Sequence, residues 1–252
     1  NHVSRQYHSD AKPLLIQDLG EHDDTTVAFS PMNNYYYLPG QSLVLHFGAK
    51  QEDFEYSEFP AKATGNGCFS ATPDKNDWYE TVKLNYGIDY TNGDTYHFDP
   101  VPDTWLKMLD ILLFWAEKGI DGFRWDMVEL VPVEFWEWAI PKVKEKHGEI
   151  IFIGEAYIQE NYRKYIQNGH FDYLYDKVGL YDTLRNVVCG KVSAFTITHC
   201  WQLTEGIQQN TLYFLDNQDE QSMASEFFAG SAQAGIAAMI INTWMNSGPG
   251  RI

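Results

Sequence analysis

The sequence predicts an α/β fold in which short parallel strands alternate with crossover helices. Two observations predict it. From Asp103 onward, segments with apolar residues at helical spacing alternate with short runs rich in β-branched and aromatic residues. Those runs are largely apolar along their length, as strands covered on both faces are. A β/α barrel and a doubly wound sheet both satisfy the pattern.

Taken in order, the first hundred residues stand apart. "PMNNYYYLPG", "ATGNGCFSATP" and "YTNGDTYHFDP" are dense in Pro, Gly, Asn and Asp and carry no helical period. Roughly Ser9 to Tyr90 therefore reads as an irregular, partly β excursion from the main fold. A loop-rich insertion of that length in a compact domain is usually functional. Asp103 to Gly119 then has helical spacing, with Asp103 or Thr104 as N-cap and Gly119 just past the end. "IDGFRWD" is a short strand. Pro132 to Gly148 is helical again, with Pro132 suited to a first turn. "IIFIGEA" (Ile150 to Ala156) is a β-branched, buried strand, and "QENYRKYIQNG" a shorter helix. Phe171 to Asp176 is a strand, and a weaker helical stretch runs from about Gly179 to Val188. Thr211 to Asp219 is another strand, and "SAQAGIAAMIINTWMN" a helix of small residues.

Composition narrows the partners. Lys and Arg number 18 against 35 Asp and Glu, a formal net charge of −17. That field repels nucleic acid and anionic lipid, so neither is expected as a partner. No apolar run approaches the roughly 18 residues of a membrane span. The 44% hydrophobic share supports a substantial core, and the 15% aromatic share also supplies flat faces suited to sugars. For most of these rings the core is the better assignment. The three cysteines, Cys68, Cys189 and Cys200, match no zinc spacing. No signal peptide is visible, and an extracytoplasmic placement is expected only if a leader precedes Asn1.

Three strands end in a carboxylate: Asp126 after "GFRW", Glu155 after "IIFIG" and Asp219 after "YFLDNQ". In a β/α barrel the C-terminal strand ends floor the active site, so the three acids would meet in one pocket. Arg124 and Asp126 are two apart on a strand and point the same way, with Phe123 and Trp125 turned to the helix layer. The guanidinium can hold Asp126 ionised and aimed. A strand-end cap or a salt bridge explains any one of these acids equally well. Together they suit glycoside hydrolysis, in which one carboxylate attacks the anomeric carbon and a second carboxyl protonates the leaving oxygen.

"GFRWD", "GEA" and "FLDNQD", in that order, resemble three signature regions of the α-amylase family, glycoside hydrolase family 13. The opening "NH" resembles the end of a further region at the third barrel strand. "VKLNY" (Val82 to Tyr86) resembles one near the end of the inserted domain B, and "NNYYYLPGQ" and "FDYLYDKVGLYDTLR" look like bacterial, particularly Bacteroidetes-like, members. The resemblance implies a partial TIM (β/α)8 barrel, from about strand 3 to strand 7 with strand 8 at most begun. Residues 1–8 would end strand 3, residues 9–90 would form the domain B-like insertion, and residues 91–252 would carry strands 4 to 7. It implies a retaining glycosidase acting on starch, maltodextrin or related α-glucans. Asp126 would be the nucleophile, Glu155 the general acid and then base, and Asp219 the carboxylate gripping sugar hydroxyls. Arg124 would orient Asp126, and His2 and Gln218 would bind substrate. Asn1 matches a calcium ligand of many members, which leaves room for Ca2+ although the chemistry requires no cofactor.

One departure widens the reading. The family pattern Asn-His-Asp is here Asn217-Gln218-Asp219, and a glutamine donates a hydrogen bond without carrying charge. A sugar-binding homologue without catalysis and an α-glucan transglycosylase are therefore the alternatives to the hydrolase. The chain reads as an internal fragment of the barrel, so unpaired sheet edges are expected to keep these residues alone from forming an active, soluble enzyme.

Overall fold

The structure is a computed structural model and describes residues 1–5, 19–46, 57–220 and 225–245. The chain divides into two compact units, Asn1–Lys118 and Gly119–Ile252.

The first unit is built from short strands and long connections. Its strands are β1 (His2–Ser4), β2 (Tyr37–Leu38), β3 (Ala61–Lys62), β4 (Thr81–Lys83), β5 (Ile88–Asp89) and β6 (Thr95–Tyr96). They pair antiparallel, β1 with β4, β2 with β3 and β5 with β6. Ladders of two or three residues satisfy few backbone groups, so buried side-chain amides take over. Asn85 donates to the carbonyls of Ser30 and Asn33 at 2.7 and 2.9 Å. Asn34 Oδ1 accepts from the Gly20 amide at 2.8 Å. Tyr35, Tyr36 and Tyr37 fill the core beside them, and a buried Arg5–Glu58 ion pair closes it.

Helix α1 (Asp103–Glu117) ends this unit. Its N-cap is Pro102, with no side-chain cap, rather than Asp103 or Thr104. The extended backbone of Pro102 starts the helix one residue earlier. Asp103 spends its carboxylate on Lys107 at 2.8 Å and on the Asn34 amide at 2.8 Å. Gly119 follows with φ +81, the left-handed turn that a glycine after a helix provides.

In the second unit β7 (Gly122–Trp125), β8 (Ile151–Glu155), β9 (Tyr173–Tyr175) and β10 (Thr211–Leu212) form one sheet in the order β10-β9-β8-β7, all parallel. Helix α2 (Val133–Lys146) crosses from β7 to β8 and α3 (Tyr162–Gln167) from β8 to β9. Between β9 and β10 lie a π-helical turn (Lys177–Tyr181), α4 (Asp182–Val188) and α5 (Thr196–Leu203), and α6 (Ala232–Trp244) comes last. The α/β class is thus as the alternation implies.

The core shows why these segments fold so. Trp125 turns away from Arg124 and meets Trp136 of α2 at 4.7 Å between ring centres. Phe123 contacts Phe152, and Trp136 contacts Phe171. Three differences from the sequence pattern stand out. Pro132 lies just before α2, at its N-cap, not inside the first turn. Strand β10 covers only Thr211–Leu212; Tyr213, Phe214 and Leu215 continue buried, with Phe214 stacked on Tyr181 at 5.0 Å, and Asp216, Gln218 and Asp219 are exposed. Helix α5 was not evident from "TITHCWQL", where two of the first three residues are threonines. The last residue of the expected C-terminal helix, Asn246, lies outside the described residues.

Candidate active site

Register places the acids. Trp125 pairs with Gly154 and Glu155 with Tyr175, so Asp126 and Glu155 stand side by side one step past the β7–β8 ladder. Asp219 arrives from the segment after β10. One carboxylate oxygen from each of Asp126, Glu155 and Asp219 lies within 4.8 Å of the others. Carboxylates this close together can act on one glycosidic bond, as the paired acids of glycoside hydrolysis do.

Arg124 supplies the positive charge. Its guanidinium pairs with Asp126 through Nη1 and with Glu155 Oε1 through Nη2 at 3.2 Å, while its plane lies over Tyr175 at 5.6 Å. The two carboxylates sit in unlike surroundings. The Asp126 side chain is 60% exposed and that of Glu155 only 3%. Burial pushes the Glu155 carboxyl above the ordinary range, against the lowering pull of Tyr157, Arg124 and the Met127 amide. The buried group is suited to holding a proton and the exposed one to attack.

Further contacts fix Glu155. Its Oε1 accepts from the Tyr157 hydroxyl at 3.0 Å and its Oε2 from the Met127 amide at 3.2 Å. Met127 holds a left-handed backbone, φ +46, which turns that amide toward the acid. On the other side, Gln218 Nε2 donates to Asp219 Oδ2 at 3.1 Å. Asn217 Oδ1 accepts from the amides of Asp219 and Glu220 at 2.9 and 2.8 Å and sets the turn.

Of the residues singled out in the sequence, Arg124, Asp126, Glu155, Gln218 and Asp219 therefore come together. Asn1 and His2 belong to the first unit. There His2 Nδ1 lies 2.7 Å from Asn1 Oδ1, Asn1 Nδ2 donates to the Gly65 carbonyl at 3.1 Å, and the His2 ring meets Trp78 edge-on at 5.4 Å. A calcium ion takes several oxygen ligands, of which the Asn1 amide would be one. Tyr157 and Glu129 went unnoticed in the sequence. Tyr157 lies in the loop just past β8, only two residues from Glu155, so its nearness is legible in principle. Glu129 is not, because its hydrogen bonds reach about thirty residues along the chain.

No family model matches the chain. Among curated relatives, the α-1,4-glucan:maltose-1-phosphate maltosyltransferase of Pseudomonas aeruginosa is 34% identical over 91 residues, 36% of this chain and 14% of that protein. The enzyme of the same name from Myxococcus xanthus is 24% identical over 219 residues, 79% of this chain and 29% of its own. The chain thus spans well under half the length of either. Among solved structures, the Nostoc punctiforme debranching enzyme superposes with a TM-score of 0.59 at 18% identity, covering 88% of this chain and 45% of its own. An α-amylase from Lactobacillus plantarum gives 0.54 at 23% identity, covering 75% and 44%. The likeness establishes the fold: the parallel sheet and its helices are part of the barrel seen in α-amylase-type enzymes.

Proposed function

We propose that this chain carries the catalytic carboxylates of an α-amylase-family enzyme that acts on α-linked glucans by a retaining double displacement. The observation that supports it is the meeting of three carboxylates within 4.8 Å, two just at or past strand ends and one from the segment after β10, one buried and two exposed. In the first step an Asp126 oxygen attacks the anomeric carbon while the glycosidic C–O bond breaks. Glu155 gives its proton to the leaving oxygen, and a β-glycosyl ester on Asp126 results. In the second step the Glu155 carboxylate takes a proton from the incoming hydroxyl, whose oxygen attacks the anomeric carbon and releases Asp126. Arg124 keeps Asp126 aimed between turnovers. Asp219 grips sugar hydroxyls and favours the distorted ring.

Water as the incoming hydroxyl gives hydrolysis, the first reading. A sugar hydroxyl gives transfer, and the maltosyltransferase names of the relatives favour that as the second. Incubation with maltoheptaose, with and without maltose 1-phosphate, separates them by product length. Only shorter sugars mean hydrolysis and longer ones mean transfer. Unchanged maltoheptaose in both mixtures, with sugar bound in a calorimeter, would replace the enzyme by a sugar-binding protein.

A further inference from the structure

Glu155 is held by a hydrogen bond that is itself held. The Tyr157 hydroxyl donates to Glu155 Oε1 at 3.0 Å. Glu129, three residues past Asp126, accepts from the Tyr157 amide at 2.7 Å, the Ile158 amide at 3.0 Å and Asn161 Nδ2 at 2.8 Å. One carboxylate thus ties the turn after β7 to the loop after β8, and that loop carries the hydroxyl.

Among the described residues, three charged groups and one phenol face Glu155. Arg124 and Asp126 face it from β7 and its end, Tyr157 from its own loop and Asp219 from the segment after β10. Burial, the bond to Glu155 and the charges of Glu155, Asp219 and Asp126 push the Tyr157 phenol well above its ordinary range. It therefore stays protonated and donates at any working pH. A donor of that kind favours the carboxylate form of its acceptor over the carboxylic acid.

We infer that Tyr157 is a positioning residue that sets when Glu155 releases and regains its proton, and that Glu129 fixes Tyr157 in the place where it does so. The inference rests on the acid–base role proposed for Glu155. In the first step it eases departure of the proton, and in the second it keeps the resulting carboxylate aimed at the incoming hydroxyl. Tyr157 is 38% exposed, so the residue is not explained by core packing.

The test compares the parent with Tyr157→Phe, Glu129→Gln and Glu155→Gln in the protein carrying this sequence. Tyr157→Phe should move the basic limb of kcat/KM on maltoheptaose up by about one pH unit, as loss of a bond to a charged group does. Glu129→Gln, which loosens the loop but keeps the hydroxyl, should move it the same way by less. Carbon-13 titration of the Glu155 carboxyl should show the same displacement without any turnover. A Glu155 titration that overlays the parent's in Tyr157→Phe overturns the inference, as does a shift in melting temperature with the limb in place. The functional reading fails separately, if Glu155→Gln turns over maltoheptaose at the parental rate.

Discussion

Arg124 touches two of the three carboxylates at once, and its worth depends on which step needs it. It contacts no sugar in the proposed scheme, so losing it should spare affinity. Arg124→Leu is expected to lower kcat about a hundredfold, the scale of removing one preorganised charge, with KM within about threefold. Steady-state kinetics on maltoheptaose decides it, and a parental kcat would show Asp126 to be aimed by something else. Gln218 occupies the place where the resembled family has a histidine. Its amide already donates to Asp219, and a histidine there could donate as well while presenting its ring to the sugar. Gln218→His should raise kcat/KM on maltooligosaccharides about two- to tenfold, the value of one added hydrogen bond. A loss would show that the pocket has adapted to glutamine.

At the scale of the element, β8 depends on a close approach. A Cβ on Gly154 would lie 2.7 Å from Leu174 Cδ2, 3.0 Å from Val128 Cγ1 and 3.1 Å from Phe171 Cδ1. Gly154→Ala should therefore cost about 1–3 kcal/mol in chemical denaturation, by overpacking between strand and helix layer. A midpoint equal to the parent's would mean those side chains step aside freely. The π-helical turn after β9 has its own signature. Asp176 caps it by accepting from the Gly179 and Leu180 amides at 3.0 and 3.1 Å, and burial pushes its carboxyl from 3.8 up to about 6. A carboxyl raised in the folded state binds its proton more tightly there than in the unfolded chain. Its contribution to stability is full below pH 3.8 and is lost as the pH climbs to about 6. The melting temperature of the parent minus that of Asp176→Asn should therefore grow on acidification from pH 6 to 4. Parallel curves would show the carboxyl ionised throughout.

Much of this scale is legible in the sequence because period and burial are local properties. The strands "GFRW" and "IIFIG" and the helix holding Trp136 announce themselves, and so do acids placed where strands end. Strand β10 is overread because Phe214 and Leu215 are buried without laddering, and an apolar run does not distinguish the two. The start of α1 is misplaced because Asp103 is claimed by Asn34 and Lys107, sixty-nine and four residues away. Glu129 is hidden for the same reason, since its value lies in three donors from another loop. Local patterns carry periodicity and sequence ends of strands; they carry nothing about which distant partner takes a side chain.

For the whole molecule the dominant fact is charge. At −17 the compact state repels itself. Raising NaCl from about 10 to 150 mM shortens the Debye length from roughly 30 to 8 Å and should raise the melting temperature by a few degrees. A fall would mean that ion pairs such as Arg5–Glu58 and Lys144–Asp172 outweigh the net repulsion.

The three acids are contributed by three different strand–helix repeats, while the aromatic layer that holds those repeats lies beneath them. An evolving lineage can therefore alter one loop at a time without undoing the scaffold. Losing the carboxylate after β10 leaves the other two standing, and lengthening the loop after β8 leaves the β7 end untouched. Descent from such an ancestor need not stop at an enzyme. It can pass by single steps into proteins that still hold sugars and no longer cut them, each step tolerated because the barrel survives it.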